Sequence, residues 1–387
     1  MKKIGILGST GSIGTQALDI ISNNKEEFIV DYLYANSNYK ILFEQIRAFS
    51  PSYVCINDKK SYEELYLLLK GNYDTKIVFG VEESIDFICS RPVDLVLNAI
   101  VGVDGLKPTI AVLDNNTDIA LSNKESLVLA GDIVINKAKK NNVNIFPVDS
   151  EHSAMWQCLV GENIDDVDKM ILTGSGGPFR TLDYKSFSNI SIDDALNHPN
   201  WSMGNKITID SATMMNKGFE VIETYWIFEV SVDQIEIVVH PQSIIHSMIQ
   251  FKDKSIKAQI GLPDMRIPIN YALNYPSHSS LDMPTLDFTS ISELTFEAPD
   301  LNKFRCIDLA YQAIKSGGTS TTVLNAANDI AVNLFLKDKL KFIDIPNVIE
   351  DAIEKHDYIS SPSLDDIYSL MDWTSEYIKK ETRYVNH

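Results

Sequence analysis

The chain has 387 residues, and its 34 basic against 53 acidic side chains give a formal net charge of −19 at pH 7. This acidic balance disfavours nucleic acid and anionic membrane surfaces as partners. The four cysteines are scattered without a C-x-x-C spacing, which argues against a zinc site and a disulfide framework and favours the reducing cytoplasm. No apolar run approaches the roughly 20 residues needed to span a bilayer, so we expect no membrane partner.

The first part of the chain alternates short apolar runs with helical stretches. This alternation is typical of a Rossmann-like, doubly wound parallel sheet with helices on both faces. Strands are predicted at 4–7, 28–35, 53–56, 76–79, 95–100, 118–121 and 144–148. Because the chain is longer than one typical core, we expect the first domain to end near 149 and further domains to follow.

The second part of the chain predicts a central α+β domain and a helical end. Three β-rich runs at 235–240, 244–251 and 255–260 favour an antiparallel sheet in a domain spanning 150–274. A proline- and serine-rich stretch over 275–300 is typical of a linker. A C-terminal helical domain over 301–387 is predicted from helices at 306–315, 321–336, 347–355 and 364–379.

Three glycines lie between the first predicted strand and the first predicted helix. Gly8, Gly11 and Gly14 follow the apolar run 3–7 and precede a helix predicted over 15–21. Glycines allow a tight turn and close approach to a pyrophosphate, and the amides of a helix N-terminus bind the anion. The spacing differs from the usual G-x-G-x-x-G pattern, so a plain tight turn is the alternative.

The second predicted strand ends without an acidic residue. A protein that binds NAD usually has an acid there to bind the ribose hydroxyls, whereas this chain has Asn36, Ser37 and Asn38, with Lys40 close by. Small polar donors and a nearby cation accommodate a 2′-phosphate, although no arginine is present to clamp it. This segment favours NADP over NAD.

Two carboxylates follow the seventh predicted strand. Asp149 and Glu151 flank Ser150 just beyond the strand 144–148, and ligands of open α/β sheets gather at this end of the strands. In an extended chain the two acids point the same way and could bind one hard divalent cation, while His152 would point away. A solvated acidic turn is the alternative.

Two further segments carry polar groups suited to a phosphorylated ligand. We interpret the glycine-rich stretch 172–180 as a loop, and 209–220 combines a hydroxyl, an amide, an ammonium and a carboxylate. Asn216 and Glu220 are four residues apart, so on a helix both face one cavity. In so acidic a chain, an anionic substrate needs local positive charge, and the lysines available for it are Lys124, Lys206 and Lys217.

The segment from His198 to Gly204 contains Trp201 between a proline and a glycine. Such a loop suits a lid over a bound substrate, and a tryptophan buried beside a turn is the alternative. His240 and His246 lie in the β-rich runs, and we interpret both as structural because a carboxylate site for a hard cation needs no imidazole.

Seven motifs, in order, resemble the signatures of the 1-deoxy-D-xylulose 5-phosphate reductoisomerase family over nearly the whole chain. They are GSTGSIG at 8–14, NKES at 123–126, PVDSEH at 147–152, LTGSGGPF at 172–179, HPNWSMG at 198–204, DSATMMNKG at 210–218 and HPQS at 240–243. The resemblance implies an N-terminal domain that binds NADPH and a central domain that binds the substrate and a divalent cation. It also implies a homodimer.

The resemblance assigns roles to individual residues. Contacts to NADPH are implied for Thr10, Gly11, Ser12, Ile13, Asn36, Ser37, Asn38, Asn123, Glu125 and Gly204. The implied ligands of Mg²⁺ or Mn²⁺, with Co²⁺ as a further candidate, are Asp149, Glu151 and Glu220. Contacts to the sugar phosphate are implied for Lys124, Ser150, Glu151, Ser175, His198, Trp201, Ser211, Asn216, Lys217 and Glu220. The implied catalytic residues are Lys124, Asp149, Glu151 and Glu220. The chain departs from many members at Asn36 and from some at Ser37, which bears on cofactor affinity.

The implied activity is an NADPH-dependent rearrangement and reduction of 1-deoxy-D-xylulose 5-phosphate to 2-C-methyl-D-erythritol 4-phosphate, in non-mevalonate isoprenoid biosynthesis. Whether the carbon skeleton rearranges by retro-aldol cleavage or by ketol migration stays open. Two alternatives are an ordinary NADP-dependent dehydrogenase, which gives no reason for three metal-binding carboxylates, and a non-enzymatic NADP-sensing protein, which would not need them either.

Overall fold

The computed structural model describes residues 1–197 and 204–381. They form two compact units. Unit 1 comprises Met1–Ser126, Asp132–Ser153 and Asp264–Pro284, and unit 2 comprises Leu127–Gly131, Ala154–Pro263 and the described part of Thr285–His387. The predicted boundaries near 149, 274 and 300 stay predictions, because a division by compactness does not establish where functional domains end.

The first 159 residues contain seven strands and seven α-helices. In chain order they are β1 (Lys2–Leu7), α1 (Ser12–Asn23), β2 (Phe28–Ala35), α2 (Tyr39–Phe49), β3 (Tyr53–Ile56), α3 (Lys59–Leu69), β4 (Lys76–Phe79), α4 (Val81–Ser90), β5 (Leu95–Asn98), α5 (Leu106–Asp114), β6 (Asp118–Leu121), α6 (Glu125–Asn141), β7 (Ile145–Pro147) and α7 (Ser150–Leu159). All seven predicted strands are present, with ends that differ by at most two residues.

The strands of unit 1 form one parallel sheet in the order β4-β3-β2-β1-β5-β6-β7. Ile4, Ile6, Leu33, Val54 and Leu97 are fully buried between helices, as expected for parallel strands covered on both faces. The strand order reverses between β1 and β5, and ligands bind at such a switch point. The predicted doubly wound sheet is confirmed.

The described residues after 159, which are 160–197 and 204–381, contain four strands and eight α-helices. They are β8 (Val167–Gly174), α8 (Ile192–Leu196), α9 (Asn205–Ala212), α10 (Met215–Phe228), β9 (Ile235–Val239), β10 (Ile245–Phe251), β11 (Ile256–Ile260), α11 (Arg266–Asn274), α12 (Arg305–Ser316), α13 (Ser320–Leu336), α14 (Ile345–Lys355) and α15 (Leu364–Lys380). The four predicted C-terminal helices are confirmed as α12 to α15.

The sheet of unit 2 has the order β11-β10-β8-β9. β10 is antiparallel to β8 and β11, so the predicted antiparallel arrangement is confirmed for the runs 244–251 and 255–260. It is wrong for the run 235–240, because β9 pairs with β8 in parallel. The prediction lacked β8, whose C-terminal residues were interpreted as a loop. The connection between β8 and β9 contains α8, α9 and α10, and it is long enough for the crossover that parallel strands need.

The core of unit 2 joins this sheet to the C-terminal helices. Phe219, Ile222, Ile249, Val323 and Val348 are buried in one continuous apolar cluster. Across residues 1–197 and 204–381, none of the helices combines the length and the apolar character needed to cross a membrane.

Candidate active site

The glycine turn after β1 packs directly on the backbone that follows β5. Gly8 has φ +78°, and a Cβ there would lie 2.6 Å from the carbonyl oxygen of Ala99. A Cβ on Gly14 would lie 2.4 Å from the carbonyl oxygen of Gly8. Gly11 is the N-cap of α1 and provides no side-chain cap. The first amides of α1 therefore face the switch point without a side-chain acceptor from the cap residue, which fits a pyrophosphate.

The segment after β2 is held by its backbone. The carbonyl oxygen of Asn36 accepts hydrogen bonds from the amides of Asn57 and Asp58, at 3.1 and 2.9 Å. The carbonyl oxygen of Ser37 accepts one from the Ser61 hydroxyl at 2.7 Å. Asn38 caps α2 by accepting from the Ile41 amide at 3.2 Å. All three side chains after β2 are exposed, so they are available to a cofactor.

Asn123 secures the turn that leads into α6. Its amide nitrogen donates to the carbonyl oxygens of Ile100 and Gly102, at 2.8 Å each, and its amide oxygen accepts from the Ser126 amide at 3.0 Å. It also donates to Glu125 at 3.2 Å. The side chain of Asn123 thus ties the end of β6 to the loop after β5, and this positions the neighbouring Lys124.

The acidic motif after β7 forms the start of a helix. α7 begins at Ser150, so the prediction that Asp149 and Glu151 alternate along an extended chain was wrong. Carboxylate oxygens of the two acids nevertheless lie within 4.8 Å of each other. The Ser150 amide donates to Asp149 at 2.9 Å, and the Ser150 hydroxyl donates to Glu151 at 2.6 Å.

The helical start of α7 also corrects the prediction for His152. Residues three apart on a helix share a face, and a ring nitrogen of His152 lies within 4.8 Å of an Asp149 carboxylate oxygen. The histidine is fully buried. It therefore does not point away from Asp149, as alternation along a strand would require.

Lys124 and Asp149 form an ion pair within unit 1. The side chains are 10% and 15% exposed. The pair brings an ammonium group beside the two carboxylates, an arrangement that can hold oxygen-rich ligands.

In unit 2 the glycine-rich loop that follows β8 packs on α9. Gly177 has φ +68°, and a Cβ there would lie 2.6 Å from the carbonyl oxygen of Ser211. The hydroxyl oxygen of Ser175 accepts from the Gly177 amide at 3.3 Å. Ser175 and Ser211 are both half-buried, and the loop brings them near the same stretch of backbone.

The first turns of α10 hold a buried polar cluster. Asn216 donates to Glu220 at 2.6 Å, so the prediction that these two residues share a face is confirmed. Lys217 forms an ion pair with the other carboxylate oxygen of Glu220 and donates to the carbonyl oxygen of Thr173 at 2.6 Å. Sequence alone gave no sign of the Thr173 contact, because the two residues are 44 positions apart.

Other predicted residues are less informative. His198 and Trp201 lie outside the described residues, and Gly204 is exposed at the N-cap of α9. A ring nitrogen of His240 lies 2.9 Å from the carbonyl oxygen of Thr295, and one of His246 lies 3.2 Å from that of Leu262. Both histidines are buried with backbone partners, which agrees with the structural interpretation.

The three buried thiols, of Cys55, Cys158 and Cys306, are not candidates for catalysis. All four cysteines are free. Burial raises the pKa of the Cys55 and Cys306 thiols to about 12, and that of Cys158 to about 11. Thiols with such pKa values stay protonated at neutral pH and are poor nucleophiles.

A doubly wound sheet with a glycine turn and an uncapped helix N-terminus at its switch point defines a class of dinucleotide-binding proteins. The carboxylates of Asp149 and Glu151 and the lysine beside them add a site for oxygen-rich ligands, which narrows the class to enzymes that bind both a dinucleotide and a second polar ligand.

Family models match three parts of the chain. The model described as 1-deoxy-D-xylulose 5-phosphate reductoisomerase matches residues 4–131, and two models of the C-terminal domain of that enzyme match residues 145–228 and 260–377. The chain belongs to the 1-deoxy-D-xylulose 5-phosphate reductoisomerase family.

Individual relatives agree with the family models. The 1-deoxy-D-xylulose 5-phosphate reductoisomerases of Chloroherpeton thalassium and Thermoanaerobacter sp. are each 50% identical to this chain, covering 98% of it and 97% and 99% of the relatives. The solved structure of the Zymomonas mobilis enzyme in complex with NADPH is 39% identical, with a TM-score of 0.92 and coverage of 97% of this chain and 98% of that one. A reductoisomerase in complex with NADPH, fosmidomycin and magnesium is 37% identical, with a TM-score of 0.92 and coverage of 99% and 98%.

Proposed function

We infer that this chain catalyses the NADPH- and divalent-cation-dependent conversion of 1-deoxy-D-xylulose 5-phosphate to 2-C-methyl-D-erythritol 4-phosphate. The observation that carries the inference is the 50% identity to a reductoisomerase over 98% of the chain. The magnesium and NADPH in the related solved structure support the two cofactors. The fosmidomycin in that structure supports a pocket for a small-molecule ligand.

We propose that unit 1 binds NADPH across the switch point of its sheet. The pyrophosphate contacts are assigned to the turn after β1, the 2′-phosphate contacts to the exposed segment after β2, and the nicotinamide contacts to the residues around Asn123. The uncapped N-terminus of α1 and the close backbone packing of Gly8 support the first assignment. The proposed cofactor residues of unit 1 are Thr10, Gly11, Ser12, Ile13, Asn36, Ser37, Asn38, Asn123 and Glu125. Gly204, which belongs to unit 2, is a further proposed cofactor contact.

The ligands of the divalent cation are proposed to be Asp149, Glu151 and Glu220. Carboxylate oxygens are the donors that Mg²⁺ and Mn²⁺ prefer, and the closeness of the Asp149 and Glu151 oxygens supports a shared ion. Such a cation supplies Lewis-acid polarisation of the substrate carbonyl, and NADPH supplies the hydride.

The side chains of this chain provide orientation and proton-bearing groups. Lys124 Nζ, fixed by Asp149, is assigned as a hydrogen-bond donor to a substrate oxygen beside the acids. The Ser150 hydroxyl, which donates to Glu151, is assigned to the same end of the substrate. Holding these donors in place before the substrate arrives lowers the cost of reaching the reactive geometry.

The phosphate end of the substrate is assigned to unit 2. The proposed contacts are Ser175, His198, Ser211, Asn216 and Lys217. The packing of Gly177 on Ser211 supports a common subsite, because it brings the loop after β8 to the end of α9. Binding energy gained at a non-reacting phosphate can be used to orient the reacting carbons. Trp201 is assigned to a lid that excludes water over the bound substrate.

We propose that the protein works as a homodimer in the cytoplasm. β11 is the edge strand of the sheet in unit 2, and its Ile256 and Ile260 are 52% and 39% exposed. An exposed apolar edge strand is a surface that a second chain can cover. Four free cysteines suit a reducing compartment.

Product analysis separates this function from an ordinary NADP-dependent dehydrogenase. The purified chain is incubated with 1-deoxy-D-xylulose 5-phosphate, NADPH and Mg²⁺, and the product is identified by NMR. A branched tetritol phosphate carrying the methyl group on a quaternary carbon is expected. An unbranched pentitol phosphate would show reduction without rearrangement, and the absence of any product would favour the NADP-sensing alternative.

A further inference from the structure

Lys206 contacts three helices of unit 2 with one ammonium group. Its Nζ forms ion pairs with Asp210 of α9 at 2.7 Å and with Asp329 of α13 at 2.9 Å. The same nitrogen lies 5.0 Å from the centre of the Phe219 ring of α10, within the range of a cation–π contact. Lys206 is therefore paired with two carboxylates and does not provide the positive charge for an anionic substrate that we expected from the sequence.

The contacts of Asp210 extend this cluster. Its second carboxylate oxygen accepts a hydrogen bond from the Asn328 amide at 2.8 Å. The Asp210 side chain is 3% exposed, whereas those of Lys206 and Asp329 are 26% and 25% exposed. Both oxygens of a nearly buried carboxylate are thus bound, one by α9 itself and one by α13.

This cluster is better suited to fixing geometry than to adding stability. Desolvating two carboxylates and an ammonium costs free energy that their attraction often only offsets. The contacts that reach α13 and α10, however, fix both the rotation of α9 about its axis and its distance from these two helices. Ile209 and Ala212 also bury one face of this eight-residue helix in the apolar core, but apolar burial is non-directional and fixes the rotation less closely than charged contacts do.

The position of α9 determines the position of the proposed phosphate subsite. Ser211 directly follows Asp210, and its carbonyl oxygen is the atom against which Gly177 packs. α10, which carries Asn216 and Lys217, begins three residues after α9 ends. A rotation of α9 would therefore displace Ser211 and the loop after β8 together.

We propose that Lys206 is a positioning residue for substrate binding, which holds Ser211 and the glycine-rich loop in the geometry that accepts a phosphate group. The inference rests on the proposed function, in which this subsite holds the phosphate end of the substrate. Lys206 itself does not contact the substrate.

The test compares Lys206→Met with Lys206→Arg. Methionine keeps the apolar stem and removes the charge, whereas the arginine fork can still bridge two carboxylates. Four quantities are measured for each variant: kcat, the KM for 1-deoxy-D-xylulose 5-phosphate, the affinity for inorganic phosphate by calorimetry, and the affinity for NADPH by fluorescence. Thermal unfolding reports on the fold.

For Lys206→Met we expect a rise of about tenfold or more in KM, a matching loss of phosphate affinity, and a change in kcat and NADPH affinity of less than about threefold. Lys206→Arg should recover most of the KM. The matched control is Arg305→Met, which breaks a half-exposed ion pair between α12 and α14 in the same unit and should leave KM unchanged even if it lowers the melting temperature.

Three results would overturn the proposal. They are a folded Lys206→Met variant with unchanged KM, an equal rise in KM for Arg305→Met, and a failure of the unsubstituted chain to bind inorganic phosphate. If Lys206→Met does not fold, Asp329→Asn tests the proposal instead. This substitution removes the ion pair between Lys206 and Asp329 and retains the one between Lys206 and Asp210. It should therefore raise KM by a smaller factor. An unsubstituted chain without turnover contradicts the proposed function, and the phosphate titration still tests the role of Lys206.

Discussion

Lys217 and Glu220 form an ion pair one turn apart on α10, and their side chains are 6% and 1% exposed. The carboxylate is held on its other oxygen by Asn216. Removing one member of a pair this deeply buried leaves the other charge in the interior without a partner. The free energy of unfolding then falls by more than the intact pair contributes to it.

We therefore expect Lys217→Met to lower the free energy of unfolding by about 3 to 5 kcal/mol. Urea denaturation measures this. Lys380→Met is the control, because it breaks an exposed pair with Glu376 whose side chains are 76% and 72% exposed, and such pairs contribute about 0 to 1 kcal/mol. If both variants lost the same free energy of unfolding, burial of the ion pair would not determine how much stability its removal costs.

Substitutions in the acidic motif after β7 are expected to stop metal-dependent turnover without weakening the binding of NADPH. Asp149→Asn and Glu151→Gln each remove an anionic oxygen from the proposed cation site, so turnover should be abolished while NADPH affinity stays nearly intact. Steady-state rates at saturating Mn²⁺ and NADPH fluorescence titrations measure the two quantities. The control is Asp86→Asn, an exposed acid of α4, and wild-type rates in either site variant would contradict the assignment.

The exposed segment after β2 predicts the choice of cofactor. Asn36, Ser37 and Asn38 offer no acid to bind the free ribose hydroxyls of NADH. NADPH should exceed NADH in catalytic efficiency by one to three orders of magnitude, on the order of 1.4 to 4 kcal/mol. Equal efficiencies would show that this segment does not recognise the 2′-phosphate.

The lid interpretation of Trp201 stays a prediction. If the indole covers the substrate, Trp201→Ala should lower the catalytic efficiency at least tenfold, about 1.4 kcal/mol, with little change in folding stability. A core tryptophan would instead cost roughly 3 to 5 kcal/mol of stability on truncation. Kinetics and thermal unfolding of the same variant separate these outcomes, and a destabilised variant with normal kinetic constants would refute the lid.

The sequence predicted the sheet of unit 1 well because parallel strands covered on both faces are short apolar runs with clear ends. β5 is buried at all four positions, and so is nearly all of β2. β8 was harder to recognise because its last residues belong to the glycine motif. The strand continues to Gly174 through pairing with β9, which lies about 60 residues later and is not visible locally.

In the candidate site, too, contacts between residues far apart in the sequence were not predicted. The i,i+4 relationship of Asn216 and Glu220 follows from helical periodicity and was predicted. The helical start of α7 was not, because the residues after β7 were interpreted as extended chain. The pairing of Lys206 with Asp329 joins positions more than 100 residues apart, and no local pattern announces it. Contacts within one helix were therefore predicted more reliably than contacts between distant segments of the chain.

The most direct test of the account follows NADPH oxidation by absorbance with 1-deoxy-D-xylulose 5-phosphate as substrate, in the presence and absence of Mn²⁺ in the same cuvette. The account predicts no oxidation in metal-free buffer and steady oxidation after the cation is added, dependent on the sugar phosphate. Oxidation that proceeds equally with a chelator present, or none under any of these conditions, would contradict it.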